Sequence, residues 1–221
     1  TLPYNDINCG VRLIRTNLTE ADVRPHLKEL LDVLFKNVPS GVGVDARIKL
    51  HKSQLVEVLN KGAAWAIENN YGYKNDTDYM EANGHLDSDT TFISSKALDR
   101  GRTQLGSLGA GNHFLEIQKV DKIYDPVTAK AFGIEKEGQI TIMIHTGSRG
   151  FGHQVCTDFL RDMEVKYKDL VGKLPDRELV YAPAGSELCD RYIKSMHAAA
   201  NFAWTNRQMI THWTRESFQQ V

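Results

Sequence analysis

The chain has 221 residues, with 27 Lys and Arg against 28 Asp and Glu, a net charge of −1 and 41% hydrophobic residues. These proportions are typical of a water-soluble globular protein, and they exclude a basic nucleic-acid tail and an acidic disordered segment. No apolar run approaches the roughly 20 residues that span a bilayer. Binding of nucleic acid through a local charged patch remains compatible with this composition.

The cysteines indicate the cellular compartment, and the two chain ends indicate whether the chain is a whole protein. Cys9, Cys156 and Cys189 form an odd, sparse set, which is not a disulfide framework and predicts a reducing, cytoplasmic environment. The first residue is Thr1, and residues 219–221 continue a helical pattern without a stop signal. We therefore expect the chain to be part of a longer protein.

The first quarter of the chain predicts one strand followed by helices. An alternating apolar run within residues 7–16 predicts the strand. Thr19 and Asp22 resemble a capping box, and an apolar stripe behind them predicts a helix to about Phe35. Ser53 is a candidate cap for the next helix.

The middle of the chain alternates glycine-rich segments with strands. Residues 101–112 are glycine-rich, and a strand is predicted directly afterwards at 113–120. Residues 139–145 read QITIMIH, which predicts a strand buried on both faces. A second glycine-rich loop follows at 147–152.

The last third is mostly helical. One helix is predicted from about His153 to Lys168, and Ser186 caps a long helical region that runs to the end. Because strands and helices are mixed without a regular strand–helix–strand alternation, we expect a single α+β domain rather than a doubly wound sheet.

Three segments place metal-type ligands beside a glycine or a strand end. Asp6 and Cys9 are three residues apart in a turn, His113 follows a glycine loop at a strand start, and His145 ends a buried strand. Carboxylate, thiolate and imidazole ligands together suit Zn, Mn, Fe or Co. A thiolate can bridge two ions, and two ions stabilise both the attacking and the leaving oxygen in phosphoryl transfer.

The second glycine loop is a candidate phosphate site. Its glycines leave N–H groups open and lead into a helix N-terminus, where Arg149 can add a bidentate contact. His153 either contacts phosphate or simply begins the helix. These residues predict a metal-dependent enzyme that acts on phosphate.

Each candidate ligand also has a structural interpretation. Cys9 alone is more often a small buried hydrophobe, His145 alone a hydrogen-bonded core histidine, and Asp6 alone a turn former. Because these residues occur together with two glycine loops, the metal site is favoured over the structural interpretations. A dinuclear metal phosphoesterase is open as an alternative, and so is a non-catalytic remnant that binds RNA or docks a partner.

Four longer segments resemble signature blocks of the RtcB RNA ligase family. They are DINCGVRLIRTNL at 6–18, LGSLGAGNHFLEIQ at 105–118, MIHTGSRGFGHQV at 143–155 and HAAANFAWTNRQMIT at 197–211. The resemblance covers nearly the whole chain. It implies an α+β fold with a mixed sheet core and surrounding helices. It also implies that residues 1–221 are the central part of one catalytic domain, without its N-terminal and C-terminal portions.

The resemblance also implies an activity. Enzymes of that family join RNA ends carrying a 2′,3′-cyclic phosphate or 3′-phosphate to RNA ends with a 5′-hydroxyl, in tRNA splicing and RNA repair. They use GTP and two Mn²⁺ ions: a histidine is guanylylated, GMP passes to the RNA 3′-phosphate, and the 5′-hydroxyl displaces it. The implied partners are RNA (tRNA halves or broken RNA), GTP and an archease-type activator, with no membrane.

The resemblance assigns the metal ligands residue by residue. Asp6, Cys9 and His113 match ligands of one ion, and His145 matches a ligand of the second ion. Cys9 matches the ligand that bridges the two.

The nucleotide and RNA contacts follow in the same way. The implied GTP-binding residues have Asn112 near phosphate and Glu116 near ribose, and they are Asn112, His113, Phe114, Leu115 and Glu116. Arg149 is implied to hold an RNA phosphate, and we place His153 with it as a second phosphate candidate.

The chain departs from the family pattern in two places. Pro3, Tyr4 and Asn5 stand where the family has a glycine and an aromatic residue before the aspartate, which puts the position of Asp6 in question. None of the eight histidines matches the guanylylated histidine, which we expect further along the parent protein. We therefore expect no catalytic nucleophile in this chain, and no independent activity.

Overall fold

A computed structural model describes residues 6–176 and 179–221 and shows the predicted α+β architecture. The strands are β1 (Gly10–Thr19), β2 (Phe114–Lys119) and β3 (Gln139–Thr146). The α-helices are α1 (Glu20–Val23), α2 (Leu27–Asn37), α3 (Lys52–Lys61), α4 (Ala63–Glu68), α5 (Ser95–Gly101), α6 (Pro126–Ala131), α7 (Arg149–Lys166), α8 (Lys168–Val171) and α9 (Glu187–Gln220). Short 3₁₀ turns lie at Arg24–His26, Asp76–Tyr79 and Glu81–Gly84.

The three strands form one sheet with β3 in the centre, in the order β1–β3–β2. Both pairings are antiparallel, so directly opposed residues share a face. Ile142 and Ile144 point into the helical core, where Ile144 is fully buried. The opposite face carries His145 together with Val11 and Leu13, which are 55% and 49% exposed. The predicted burial of β3 on both faces is therefore complete only on the helical side.

Helix α9 is the longest element, and the rest of the core packs around it. Ser186 caps it as predicted, since its Oγ accepts a hydrogen bond from the Cys189 N–H. At 1.5 Å per residue it is about 50 Å long, and it contacts α2, α3, α4, α7 and β3. Phe202 of α9 stacks obliquely on Phe151 of α7, with ring centroids 5.4 Å apart. Among the described helices, none has the length and apolarity that crossing a membrane requires.

The helix predicted after β1 is present but interrupted. The capping box is confirmed, because the Thr19 N–H donates to the Asp22 carboxylate at 2.8 Å. Pro25 lies in the 3₁₀ turn between α1 and α2. Proline has no N–H to continue the helical ladder, which explains the break.

The next helix is also divided, and its cap differs from the prediction. Its N-cap is His51 rather than Ser53, and the His51 N–H donates to the Gln54 side chain at 2.9 Å. Gly62, with a φ of 59°, separates α3 from α4. A local capping motif two residues earlier than expected therefore sets the start of α3.

Helix α7 begins at Arg149, four residues before the predicted start at His153. The second glycine segment is therefore partly the first turn of a helix rather than a free loop. A Cβ at Gly152 would clash with Ser148 Oγ and contact Ala199 of α9. The glycine therefore leaves room for the Ser148 side chain one turn earlier, whereas its contact with α9 is an ordinary van der Waals one.

Asp76 holds the segment after α4 onto the end of α9. Its carboxylate accepts hydrogen bonds from Arg215 at 2.6 and 2.8 Å, from Gln208 at 2.8 Å and from the Tyr73 N–H at 2.9 Å. Burial alone would raise the pKa of Asp76, but these hydrogen bonds outweigh it and leave the pKa below its ordinary value.

We expect Asp76→Asn to lower the free energy of unfolding at pH 7 by about 1–3 kcal/mol, because Arg215 loses its charged partner. A depressed carboxyl pKa stabilises the fold above the unfolded pKa, near pH 4, and this contribution is lost as the pH falls through the folded pKa. Urea titrations of both proteins at pH 7 and pH 3 test this. The difference in free energy of unfolding between the two proteins should be smaller at pH 3 than at pH 7. An equal difference at both pH values would contradict the role of the Asp76 charge.

Candidate metal centre

The turn before β1 presents Asp6 and Cys9 toward the same point. The Cys9 N–H donates to the Asp6 carbonyl at 3.1 Å, which closes the turn. Asn8 between them has a φ of 55°, a left-handed conformation that asparagine tolerates better than most residues. Residues 3–5, where the chain departs from the family pattern, lie outside the described residues.

Two histidines from other strands meet this turn. His113, directly before β2, has its Nε2 atom 3.0 Å from Asp6 Oδ2 and 3.4 Å from Cys9 Sγ. His145, near the end of β3, has its Nε2 atom 3.2 Å from Cys9 Sγ. The candidate ligand atoms of Asp6, Cys9 and His113 all lie within 4.8 Å of one another. Cys9 therefore lies between two imidazoles, which is the position a bridging ligand needs.

The hydrogen bond of the His145 ring suits metal binding. His145 Nδ1 lies 3.0 Å from the carbonyl of Asn112, and because a carbonyl can only accept, this contact places the ring proton on Nδ1. The Nε2 lone pair then faces Cys9, the arrangement found where a second hydrogen bond orients a metal-ligating histidine. His113 Nδ1 is buried without a hydrogen-bond partner among the described residues.

The charges around the turn keep Asp6 ionised and Cys9 protonated. Burial would raise the pKa of Asp6, but hydrogen bonds from His113 and Ser148 lower it below its ordinary value. Although Cys9 is exposed as a residue, partial burial of the thiol beside the Asp6 carboxylate raises the pKa of Cys9 to about 11. A metal ion binding here must displace the thiol proton.

Asp6 is also held from the loop between β3 and α7. Its Oδ1 atom accepts hydrogen bonds from the Ser148 N–H at 2.8 Å and the Ser148 hydroxyl at 3.0 Å. Gly147 allows this approach, because a Cβ there would lie only 2.5–2.6 Å from the Asp6 carboxylate atoms. Sequence reasoning missed Ser148, although its place beside Gly147 in the quoted motif was visible.

The predicted phosphate cradle has fewer free donors than the sequence indicated. The Ser148 N–H is bonded to Asp6, and the Gly150 N–H donates to the Gln104 side chain at 2.9 Å. Arg149 Nε donates to Ser107 Oγ at 3.2 Å. A Cβ at Gly109 would overlap the Arg149 guanidinium and lie 2.7 Å from His113 Nδ1, so the guanidinium packs beside this ring. Burial lowers the pKa of Arg149.

The predicted nucleotide segment divides between the two faces of the sheet. Phe114 and Glu116 pair with His145 and Met143 of β3, so they share the face that carries the metal ligands. Leu115 points the other way and packs in the core. Asn112 is exposed beside His145, which its carbonyl orients.

His153 lies apart from this cluster. It is exposed on α7, one turn beyond Arg149, and its carbonyl accepts a hydrogen bond from Thr157. The geometry therefore unites Asp6, Cys9, His113 and His145, and it gives His153 no contact with them.

Comparison with known proteins identifies the family. The family model described as "tRNA-splicing ligase RtcB" matches residues 4–221. The chain belongs to the RtcB family. A tRNA-splicing ligase RtcB of Pyrococcus horikoshii is 59% identical over 215 residues, which cover 97% of this chain and 25% of that relative. The relative of the same name from Thermococcus kodakarensis is 57% identical over 217 residues, covering 98% of this chain and 45% of that protein.

The RtcB chain described here is therefore shorter than its relatives. It spans less than half the length of the curated RtcB proteins that it matches. The four residues that the structure brings together all lie in the segment shared with these proteins.

We expect Gly147→Ala to weaken metal binding without unfolding the chain. Gly147 does not need a left-handed backbone, so the added methyl acts by pushing away the Asp6 carboxylate. Titration with Co²⁺ should show an affinity loss of about tenfold or more. Gly172→Ala is the matched control, because its Cβ would meet nothing nearer than the Lys168 carbonyl at 3.7 Å. Equal Co²⁺ affinity in the two variants would show that Asp6 is not a ligand.

Proposed function

We propose that this chain is the part of an RNA ligase that carries most of a two-metal centre. The parent protein would join RNA ends bearing a 2′,3′-cyclic phosphate or 3′-phosphate to 5′-hydroxyl ends, with GTP and Mn²⁺, in tRNA splicing and RNA repair. The observation that carries the proposal is the position of Cys9, whose sulfur lies 3.4 Å from His113 Nε2 and 3.2 Å from His145 Nε2.

The donor set fits divalent manganese or a similar ion. One carboxylate, one thiolate and two imidazoles suit borderline divalent metals, and Cys9 has the position to contribute to both ions. Asp6, Cys9 and His113 would hold one ion, and Cys9 and His145 the other. When bound, the ions would supply positive charge that stabilises phosphoryl transfer.

The chain's own residues prepare this centre in three ways. Asn112 orients His145 through its carbonyl, and Ser148 orients Asp6 through two hydrogen bonds. Arg149, packed beside His113, offers a guanidinium to an RNA phosphate near the metals. These groups position charge before substrate arrives, which is what electrostatic catalysis requires.

The nucleotide would bind along the exposed face of the sheet. Asn112, Phe114 and Glu116 lie beside His145 on that face, with Asn112 directed to phosphate and Glu116 to ribose in the proposed arrangement. RNA, and an archease-type activator, would engage the parent protein. At a net charge of −1, RNA binding must depend on local charge, so its affinity should fall with salt.

We expect Cys9→Ala to abolish high-affinity binding of Mn²⁺ or Co²⁺, because it removes the ligand shared by the two ions. Cys189→Ala is the matched control, since Cys189 is a free cysteine at the start of α9 and lies outside the cluster. Metal content after equilibrium dialysis measures the effect. Metal retained by Cys9→Ala at the level of the control would remove the basis of the proposal.

A second experiment separates the ligase from a dinuclear phosphoesterase. Calorimetry should show GTP binding in the presence of Mn²⁺ that Glu116→Ala weakens, whereas a phosphoesterase would show no preference for the guanosine nucleotide. With labelled GTP and Mn²⁺, this chain should form no covalent GMP adduct, because none of its histidines matches the guanylylated position. A stable adduct on the chain would overturn that part of the proposal.

A further inference from the structure

Two adjacent residues of α9, Asn206 and Arg207, touch all the segments that carry the candidate ligands. We propose that this pair is the positioning element of the metal centre. It fixes the relative positions of the Asp6–Cys9 turn, the loop before His113 and the end of β3. The inference rests on the proposed metal centre but concerns residues that are not themselves ligands.

Arg207 joins the first ligand turn to the third ligand segment. Its Nη1 donates to the Asn8 carbonyl and to the Thr146 carbonyl, both at 2.8 Å, and its Nη2 donates to Asn8 Oδ1 at 2.9 Å. Asn8 lies between the ligands Asp6 and Cys9, and Thr146 follows the ligand His145. One guanidinium therefore links the turn that carries Cys9 to the strand end that carries His145.

Asn206 joins the second ligand loop to the same strand end. Its Oδ1 accepts from the Gly106 and Ser107 N–H groups at 2.7 and 3.1 Å. Its Nδ2 donates to the Ser107 and Gly147 carbonyls, both at 3.1 Å. Gly147 precedes Ser148, which holds Asp6, so Asn206 links the loop leading to His113 with the support of Asp6.

Asn206 and Arg207 are buried, so their polar groups depend on these hydrogen bonds. Asn206 is fully buried and Arg207 is 4% exposed. Among the described residues no carboxylate lies within salt-bridge distance of Arg207, although the charges of Asp6 and Glu81 act on it from further away. A buried cation without an ion pair is costly unless its donors are satisfied, and here three oxygens of the ligand segments accept from it.

The test replaces Arg207 with lysine, which keeps the charge but cannot form the same fork of hydrogen bonds. Arg215→Lys is the matched control, because Arg215 lies on the same helix and pairs with Asp76 instead. Co²⁺ titration reports affinity, and the thiolate-to-Co²⁺ absorption band reports whether Cys9 remains a ligand. Hydrogen exchange of the amides at residues 6–10 reports the turn without metal.

We expect Arg207→Lys to lower Co²⁺ affinity at least about tenfold relative to Arg215→Lys. The same variant should weaken the thiolate-to-Co²⁺ absorption band and speed amide exchange at residues 6–10. The melting temperatures of the two variants should be similar. Asn206→Asp should also lower affinity, because it replaces the donor to Gly147 and Ser107 by an acceptor. Affinity and exchange equal to those of Arg215→Lys would overturn the proposal.

Two further results keep the test decisive. If Arg207→Lys does not fold, Asn8→Gly removes one of the three Arg207 bonds, together with the bond from Asn8 Nδ2 to the Ala200 carbonyl, while keeping the left-handed turn. Unchanged affinity and exchange in that variant would refute the positioning role. If the unmutated chain binds no Co²⁺, the proposed metal centre fails, whereas the exchange measurement still decides whether Arg207 holds the turn.

Discussion

The structure depends on one constraint: a helix of 34 residues is buried along much of its length, and most of the polar groups that it carries inside need hydrogen-bond partners. Among the buried side-chain atoms that the structure describes on this helix, Arg191 Nε, Ser195 Oγ and Trp213 Nε1 have none. Some of the buried polar groups are satisfied locally, since the hydroxyls of Thr205, Thr211 and Ser217 donate to carbonyls four residues earlier. Others, such as Asn201 and Gln208, reach out of the helix to the loop backbone at Leu86 and Tyr71. A buried polar group without a partner costs free energy, so these bonds determine where the surrounding loops lie.

The candidate metal centre is a consequence of that arrangement. Its ligands come from three segments: His113 and His145 lie 104 and 136 positions after Cys9 in the sequence. The central strand β3 brings two of the segments together by pairing with β1 and β2. The sheet positions the histidine rings, and contacts from the β3–α7 loop and from α9 position the turn opposite them.

The sequence predicted correctly those features that depend on residues close together in the chain. The Thr19–Asp22 capping box, the Ser186 cap and the apolar strand β3 all depend on neighbours within a few residues, and all three are present. The predicted start of α7 was wrong because glycine was taken as the sign of a loop, whereas Gly152 lies inside the helix and leaves room for Ser148 Oγ, with which a Cβ there would clash.

For the candidate site, too, the sequence predicted one part and the tertiary structure decided the rest. The chemistry of the donors was visible in the sequence, because Asp6, Cys9, His113 and His145 stand in recognisable motifs beside glycines and strand ends. Their convergence, the orientation of His145 by the Asn112 carbonyl and the support of Asp6 by Ser148 were decided by the tertiary structure. Residue type determines which bonds a side chain can make. Which of them it makes depends on backbone groups that only the folded chain brings within hydrogen-bond distance.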